Sequence, residues 1–138
     1  MAEVRVEQEV AASPESIWEV VRDFGGIKRW NPGIEDVEVE GSGVGSVRTI
    51  KMGGGIELQE RLEHVDDVGR SFSYSIIAGP VPVENCLASL TIHEADEGHS
   101  RITWQSSFDP KGAPEADCVA LFTGVYEGGI AALRKAVA

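Results

Sequence analysis

Apolar and polar residues alternate from Val47 to Met52 and again from Ile56 to Val65, on either side of Gly53, Gly54 and Gly55. A period of two on both sides of a glycine turn predicts a β-hairpin with one face toward the core. With the glycines as the loop, Met52 faces Ile56, and counting outward in antiparallel register sets Arg48 opposite Glu60. Both charges then share a face with Ile50, Met52, Ile56 and Leu58, the face expected to point inward.

The same alternation recurs along the chain. Val4, Val6 and Val10 mark a strand over Ala2 to Ala12. Ser13-Pro14 supplies a capping hydroxyl and a proline at the first helical position, with Glu15 near the positive end of the helix dipole. Ile17, Val20, Val21 and Phe24 then fall at helical spacing, with Trp18 off their stripe, until Gly25-Gly26 stops the helix. Ile27 to Trp30 make one further turn, ended by Asn31 before Pro32. Ile34 to Glu40 reads as a strand with an irregular start, followed by a loop built on Gly41, Gly43 and Gly45.

After the hairpin, Asp66 to Arg70 is a turn, and Phe72, Tyr74 and Ile76 set the face of another strand. Gly79-Pro80-Val81-Pro82 breaks it. Glu84 to Ala95 and Ser100 to Phe108 form a second hairpin, with Ala88, Leu90, Ile92, Ile102, Trp104, Ser106 and Phe108 inward. From Pro114 the chain turns helical. Val119, Phe122, Tyr126, Ile130, Leu133 and Val137 lie along one side of a long helix. Gly124, Gly128 and Gly129 weaken that helix unless close packing or space for something else explains them. The order, strand, two short helices, six strands and a long amphipathic helix, fits an α+β domain. In it an antiparallel sheet is covered on one face by the terminal helix.

Composition narrows the partners. The chain has 138 residues, suited to one domain over 1–138, and 23 acidic against 12 basic residues, net −11. That balance, without a basic patch, disfavours nucleic acid and anionic membranes. No uninterrupted apolar run reaches the ~18 residues of a transmembrane helix, and the charged start MAEVRVEQEV lacks a signal peptide's apolar core, so cytoplasm is the expected location. Oligomeric state is not readable. Cys86 and Cys118 are expected as buried thiols rather than a disulfide or a nucleophile. His64, His93 and His99 lack metal-ligand spacing, so no metal is expected. The G-x-G-x-G loop precedes a strand rather than a helix, which removes the setting of a nucleotide cradle. No cofactor is indicated. Glu35, Asp36, Glu38 and Glu40 read as a solvated face.

The opening strand with S-P-E-S-I-W, then F-G-G-I-K-R-W-N-P, G-x-G-x-G-S-V-R, E-R-L-E-H-V-D-D, Y-S-I-I-A-G-P and the terminal helix occur in an order that resembles one known superfamily. It is the helix-grip group of START-like lipid-transfer domains, birch-pollen allergens, plant abscisic-acid receptors and the polyketide cyclase/dehydrase group, the last being most similar. The resemblance spans the chain. It implies a curved seven-stranded antiparallel sheet wrapped around the C-terminal helix, two short helices between strands 1 and 2, and a mostly apolar cavity between sheet and helix. A sulfenic-acid-converting plant member of the cyclase group carries an arginine after its glycine loop and a glutamate on the next strand, matching Arg48 and Glu60. The receptors keep a pocket glutamate in a T-E-R-L segment, matched here by Q-E-R-L and again Glu60. Two departures stand out: Val81-Pro82-Val83 replaces the receptor's latch histidine and arginine, and Cys86 replaces a pocket tyrosine. The resemblance therefore stops short of abscisic-acid sensing and of sulfenic-acid chemistry.

The expected cavity lining is Trp30, Arg48, Ile50, Leu58, Glu60, Tyr74, Ile76, Cys86, Ala88, Trp104, Phe122, Tyr126 and Ile130. Arg48 and Glu60 admit three readings: a structural cross-strand pair, an anchor for the polar end of an apolar ligand, or a catalytic pair. In the third, Glu60 is a general base and Arg48, with the Tyr74 or Tyr126 hydroxyl, stabilises an oxyanion in a cyclase, dehydratase or isomerase. Binding of a small hydrophobic molecule such as a lipid or polyketide is the first expectation and turnover the alternative. A protein-interaction module with a filled cavity is third.

Overall fold

The computed structural model describes residues 1–138. Seven strands form one antiparallel sheet in the order β1-β7-β6-β5-β4-β3-β2. The strands are β1 (Ala2–Val10), β2 (Ile34–Glu40), β3 (Val47–Met52), β4 (Ile56–Asp66), β5 (Ser71–Ala78), β6 (Val83–Glu94) and β7 (Ser100–Pro110). Helix α1 (Pro14–Val21) and a 3₁₀ helix (Phe24–Arg29) link β1 to β2, and α2 (Glu115–Ala136) follows β7. The sheet is curved and α2 lies along it against β1 and β7, as the helix-grip expectation has it.

The core follows from the two periodicities. Leu90, Ile92, Ile102 and Phe108 from the sheet are at most 1% exposed, as are Ile130 and Leu133 from α2. Outward residues of the same strands are polar except for the exposed Leu87, so one face is mostly wet and the other greasy. β2 lies at a sheet edge and is the least buried strand; Glu35, Asp36, Glu38 and Glu40 are all exposed there. Charges along an edge oppose pairing with a foreign strand. The irregular start of β2 is a register shift between Ile34 and Asp36.

Two local readings change. α1 stops at Val21, and Phe24, Gly25 and Gly26 belong to the 3₁₀ turn instead of ending the helix. The Ser13 cap is as expected, its Oγ accepting from the Ser16 amide at 3.2 Å. Trp18 is buried against Phe72, ring centroids 6.3 Å apart, and its Nε1 donates to Asp67 at 3.0 Å. By length and mean hydropathy α2 also meets the criterion for a membrane span, although no uninterrupted apolar run does. Here its stripe of Phe122, Tyr126, Ile130 and Leu133 is buried beneath the sheet.

The three glycines of α2 separate by role. A Cβ on Gly129 would lie 2.4 Å from the Trp104 ring, so only glycine lets the helix backbone approach the indole. Gly124 and Gly128 have nothing within 4 Å of such a Cβ.

Candidate functional site

The β3–β4 hairpin pairs as its alternation dictates: Met52 with Ile56, Ile50 with Leu58, Arg48 with Glu60. Gly54 and Gly55 adopt φ of 79° and 75° in the turn, a conformation glycine reaches without steric cost. A fixed turn fixes the register, and the register sets both charges on the inner face. Arg48 is 4% and Glu60 5% exposed.

The pair is bonded tightly and from one side. Arg48 Nε donates to Glu60 Oε1 at 2.9 Å and Nη2 approaches the same oxygen at 2.7 Å. Nη1 donates to the Phe24 carbonyl at 2.8 Å, and the guanidinium lies 3.9 Å from the Phe24 ring centroid. The 3₁₀ turn therefore closes over the arginine. Charges this buried persist because each is paired and hydrogen-bonded.

Around the pair is a cavity of about 330 Å³, lined by 18 residues of which 14 are hydrophobic. Of the residues expected to line it, Arg48, Ile50, Leu58, Glu60, Tyr74, Ile76, Trp104, Phe122 and Tyr126 do so. Trp30, Cys86, Ala88 and Ile130 do not; they are buried in the wall behind it. Trp30 packs on Trp104 with centroids 6.4 Å apart, and Ile130 is wholly covered. A residue's periodicity on a strand or helix gives its face but not its depth along the cavity, and Trp30, at the end of the 3₁₀ turn, lies outside either pattern. The lining also includes Ile27, Asn31, Ile34, Met52, Ile56, Pro80, Val81, Leu121 and Val125. Ile56, Leu121 and Val125 are 44%, 44% and 51% exposed and so lie at the opening. Leu121 and Val125 each precede a stripe residue of α2, the signal that could have found them.

Aromatic side chains build the floor. Trp104 stacks on Tyr126 with centroids 4.9 Å apart and planes 14° apart, and its Nε1 donates to Tyr74 Oη at 3.0 Å. Burial holds the Tyr74 hydroxyl well above the ordinary phenol range, and the same cause raises Tyr126. Burial also pushes the Cys86 thiol up to about 11, with the Glu60 charge adding to it. Cys86 is thus a neutral thiol, not an activated nucleophile. Tyr126 Oη and Ser106 Oγ are buried neighbours, close enough for Ser106 to oppose the rise at Tyr126 but without a hydrogen bond of ordinary length. No three His, Cys, Asp or Glu side chains converge where a metal could sit.

A family model described as polyketide cyclase / dehydrase and lipid transport matches residues 1–138. The chain belongs to this family. The family's description names both cyclase or dehydrase chemistry and lipid transport. The abscisic acid receptor PYL6 of Arabidopsis thaliana is 29% identical over 98 residues, 67% of this chain and 46% of the receptor. The match thus covers about half of that relative's length. The protein XoxI from Bacillus cereus has a solved structure with a TM-score of 0.92, 31% identity, and coverage of 99% of this chain and 96% of its own. Norcoclaurine synthase from Thalictrum flavum, solved in complex with dopamine and hydroxybenzaldehyde, superposes with a TM-score of 0.79. It is 24% identical, with 97% of this chain and 84% of the synthase covered, and it supports the shared fold.

Proposed function

We propose that the protein binds a small, mostly apolar molecule in the sheet–helix cavity, with the Arg48–Glu60 pair holding its polar end. The observation that carries this reading is a 330 Å³ space, lined largely by hydrophobic side chains, around one buried ion pair. A few fixed polar groups in an apolar pocket are the usual recipe for orienting a ligand, and ~300 Å³ is the lower end of such sites. An open cavity also counts against an interaction module whose interior is filled. Cytoplasmic location fits a freely diffusing carrier or sensor and belongs to this proposal.

A second reading, cofactor-independent isomerisation, cyclisation or dehydration, has one observation in its favour. Both Arg48 contacts fall on Glu60 Oε1, leaving Oε2 without a protein donor and oriented by the other oxygen's bonds. A carboxylate so held is equipped to accept a proton from an acidic C–H or O–H. Arg48 is already engaged with Glu60 and the Phe24 carbonyl, which leaves oxyanion stabilisation mainly to tyrosine hydroxyls. Glu60→Gln separates the two readings. Under binding alone, affinity for a neutral apolar probe changes little and no reaction is lost; under turnover, rate falls by ~10²-fold or more while probe binding persists. Absence of probe binding to the folded wild-type protein would remove both.

A further inference from the structure

The polar end of the cavity is formally neutral but unevenly engaged. Glu60 Oε1 takes the Arg48 contacts at 2.7 and 2.9 Å, and Oε2 has no donor in the protein. Arg48 is occupied by Glu60 through Nε and Nη2, by the Phe24 carbonyl through Nη1, and by the Phe24 ring on one face. Two tyrosines that line the same space have hydroxyl capacity left over. Tyr74 Oη accepts from Trp104 Nε1, so its own proton has no acceptor, and Tyr126 Oη has the Ser106 hydroxyl as a polar neighbour but no hydrogen bond of ordinary length. Tyr126 is 2% and Tyr74 4% exposed, and burial keeps both phenols protonated.

The unused groups are thus one carboxylate acceptor and two O–H donors, with no uncompensated charge. Arg48 and Glu60 neutralise each other, so neither an entering carboxylate nor an entering ammonium finds an uncompensated counter-charge, and a carboxylate also lies against the unengaged Glu60 oxygen. Like charges brought together in a desolvated site are strongly disfavoured. A hydroxyl both donates and accepts, and carries no charge to desolvate. Resting on the ligand-binding reading above, we infer that the cavity selects apolar molecules ending in an uncharged hydroxyl, an alcohol or phenol. Its proton goes to Glu60 Oε2 and its oxygen accepts from Tyr74 or Tyr126. The matching carboxylic acids are discriminated against.

Three probes with one bicyclic skeleton test this: 2-naphthol, 2-naphthoate and naphthalene, titrated near neutral pH into the wild-type chain and followed by protein-observed NMR. The expected ranking has 2-naphthol at least ~10-fold tighter than either of the others. In Glu60→Gln, where the Arg48 charge is released, 2-naphthoate should gain at least ~10-fold relative to 2-naphthol. If 2-naphthol binds the wild type no tighter than 2-naphthoate or naphthalene, hydroxyl selection is overturned and ligand binding stands. If none of the three shifts signals of cavity residues, the ligand-binding reading falls and this inference with it. The wild-type ranking decides the matter even if the variant does not fold.

Discussion

Replacing Glu60 with leucine removes one partner of a buried pair and leaves the other in place. The side chains of Arg48 and Glu60 are 5% and 7% exposed, so the guanidinium would lose its counter-charge while still held by the Phe24 carbonyl. Leaving such a charge uncompensated costs about 3–5 kcal/mol. For a domain of this length that corresponds to a fall in Tm of roughly 10–15 °C. The double variant Arg48→Met with Glu60→Leu removes both charges and fills the space with apolar atoms, and should return to within about 2 kcal/mol of the wild type. Urea unfolding of all four proteins closes a double-mutant cycle, with a coupling of several kcal/mol expected. A loss below about 1 kcal/mol for Glu60→Leu alone would refute the reasoning. The cavity would then be wet enough to solvate Arg48 without its carboxylate.

Gly129→Ala drives a Cβ into Trp104 and should destabilise by about 1–3 kcal/mol despite the better helix former, whereas Gly124→Ala and Gly128→Ala, which meet open space, should each stabilise by about 0.5–1 kcal/mol. Thermal melts separate these signs, and a stabilising Gly129→Ala would contradict the packing of the indole on the helix. A third expectation concerns pH. The folded pKa of Cys86 is raised to about 11 from an ordinary value of 9.0, and Tyr74 and Tyr126 are raised too, so above about pH 9 the unfolded chain binds fewer protons than the folded one. Their contribution is complete below pH 9 and declines as pH rises through 11. Urea midpoints across that range should fall, and the Cys86 thiol should stay unreactive to iodoacetamide until the protein unfolds.

The hairpin register was legible because a strand's period of two admits no intermediate answer and the glycine triplet fixed the turn. Once Met52 faced Ile56, Arg48 had to face Glu60. The α2 stripe was legible for the same reason at period 3.6. What sequence left open was depth. Ala88 and Cys86 are buried on β6 yet do not border the cavity, while Leu121 and Val125 lie off the stripe and still border the opening. The end of α1 was misjudged because Phe24 continued the helical spacing, yet the chain tightened into a 3₁₀ turn whose Phe24 carbonyl now holds Arg48. That contact joins residues 24 apart in sequence, and no local pattern encodes it.

Native mass spectrometry of gently purified protein, run beside an Ile50→Trp, Ile76→Trp double variant that obstructs the cavity, tests the binding of a small apolar molecule most directly. A discrete co-purifying molecule on the wild type, absent from the folded variant, is the expected result. A wild type that carries nothing and shows no saturable binding of neutral apolar probes, or a variant that binds them equally well, would contradict it.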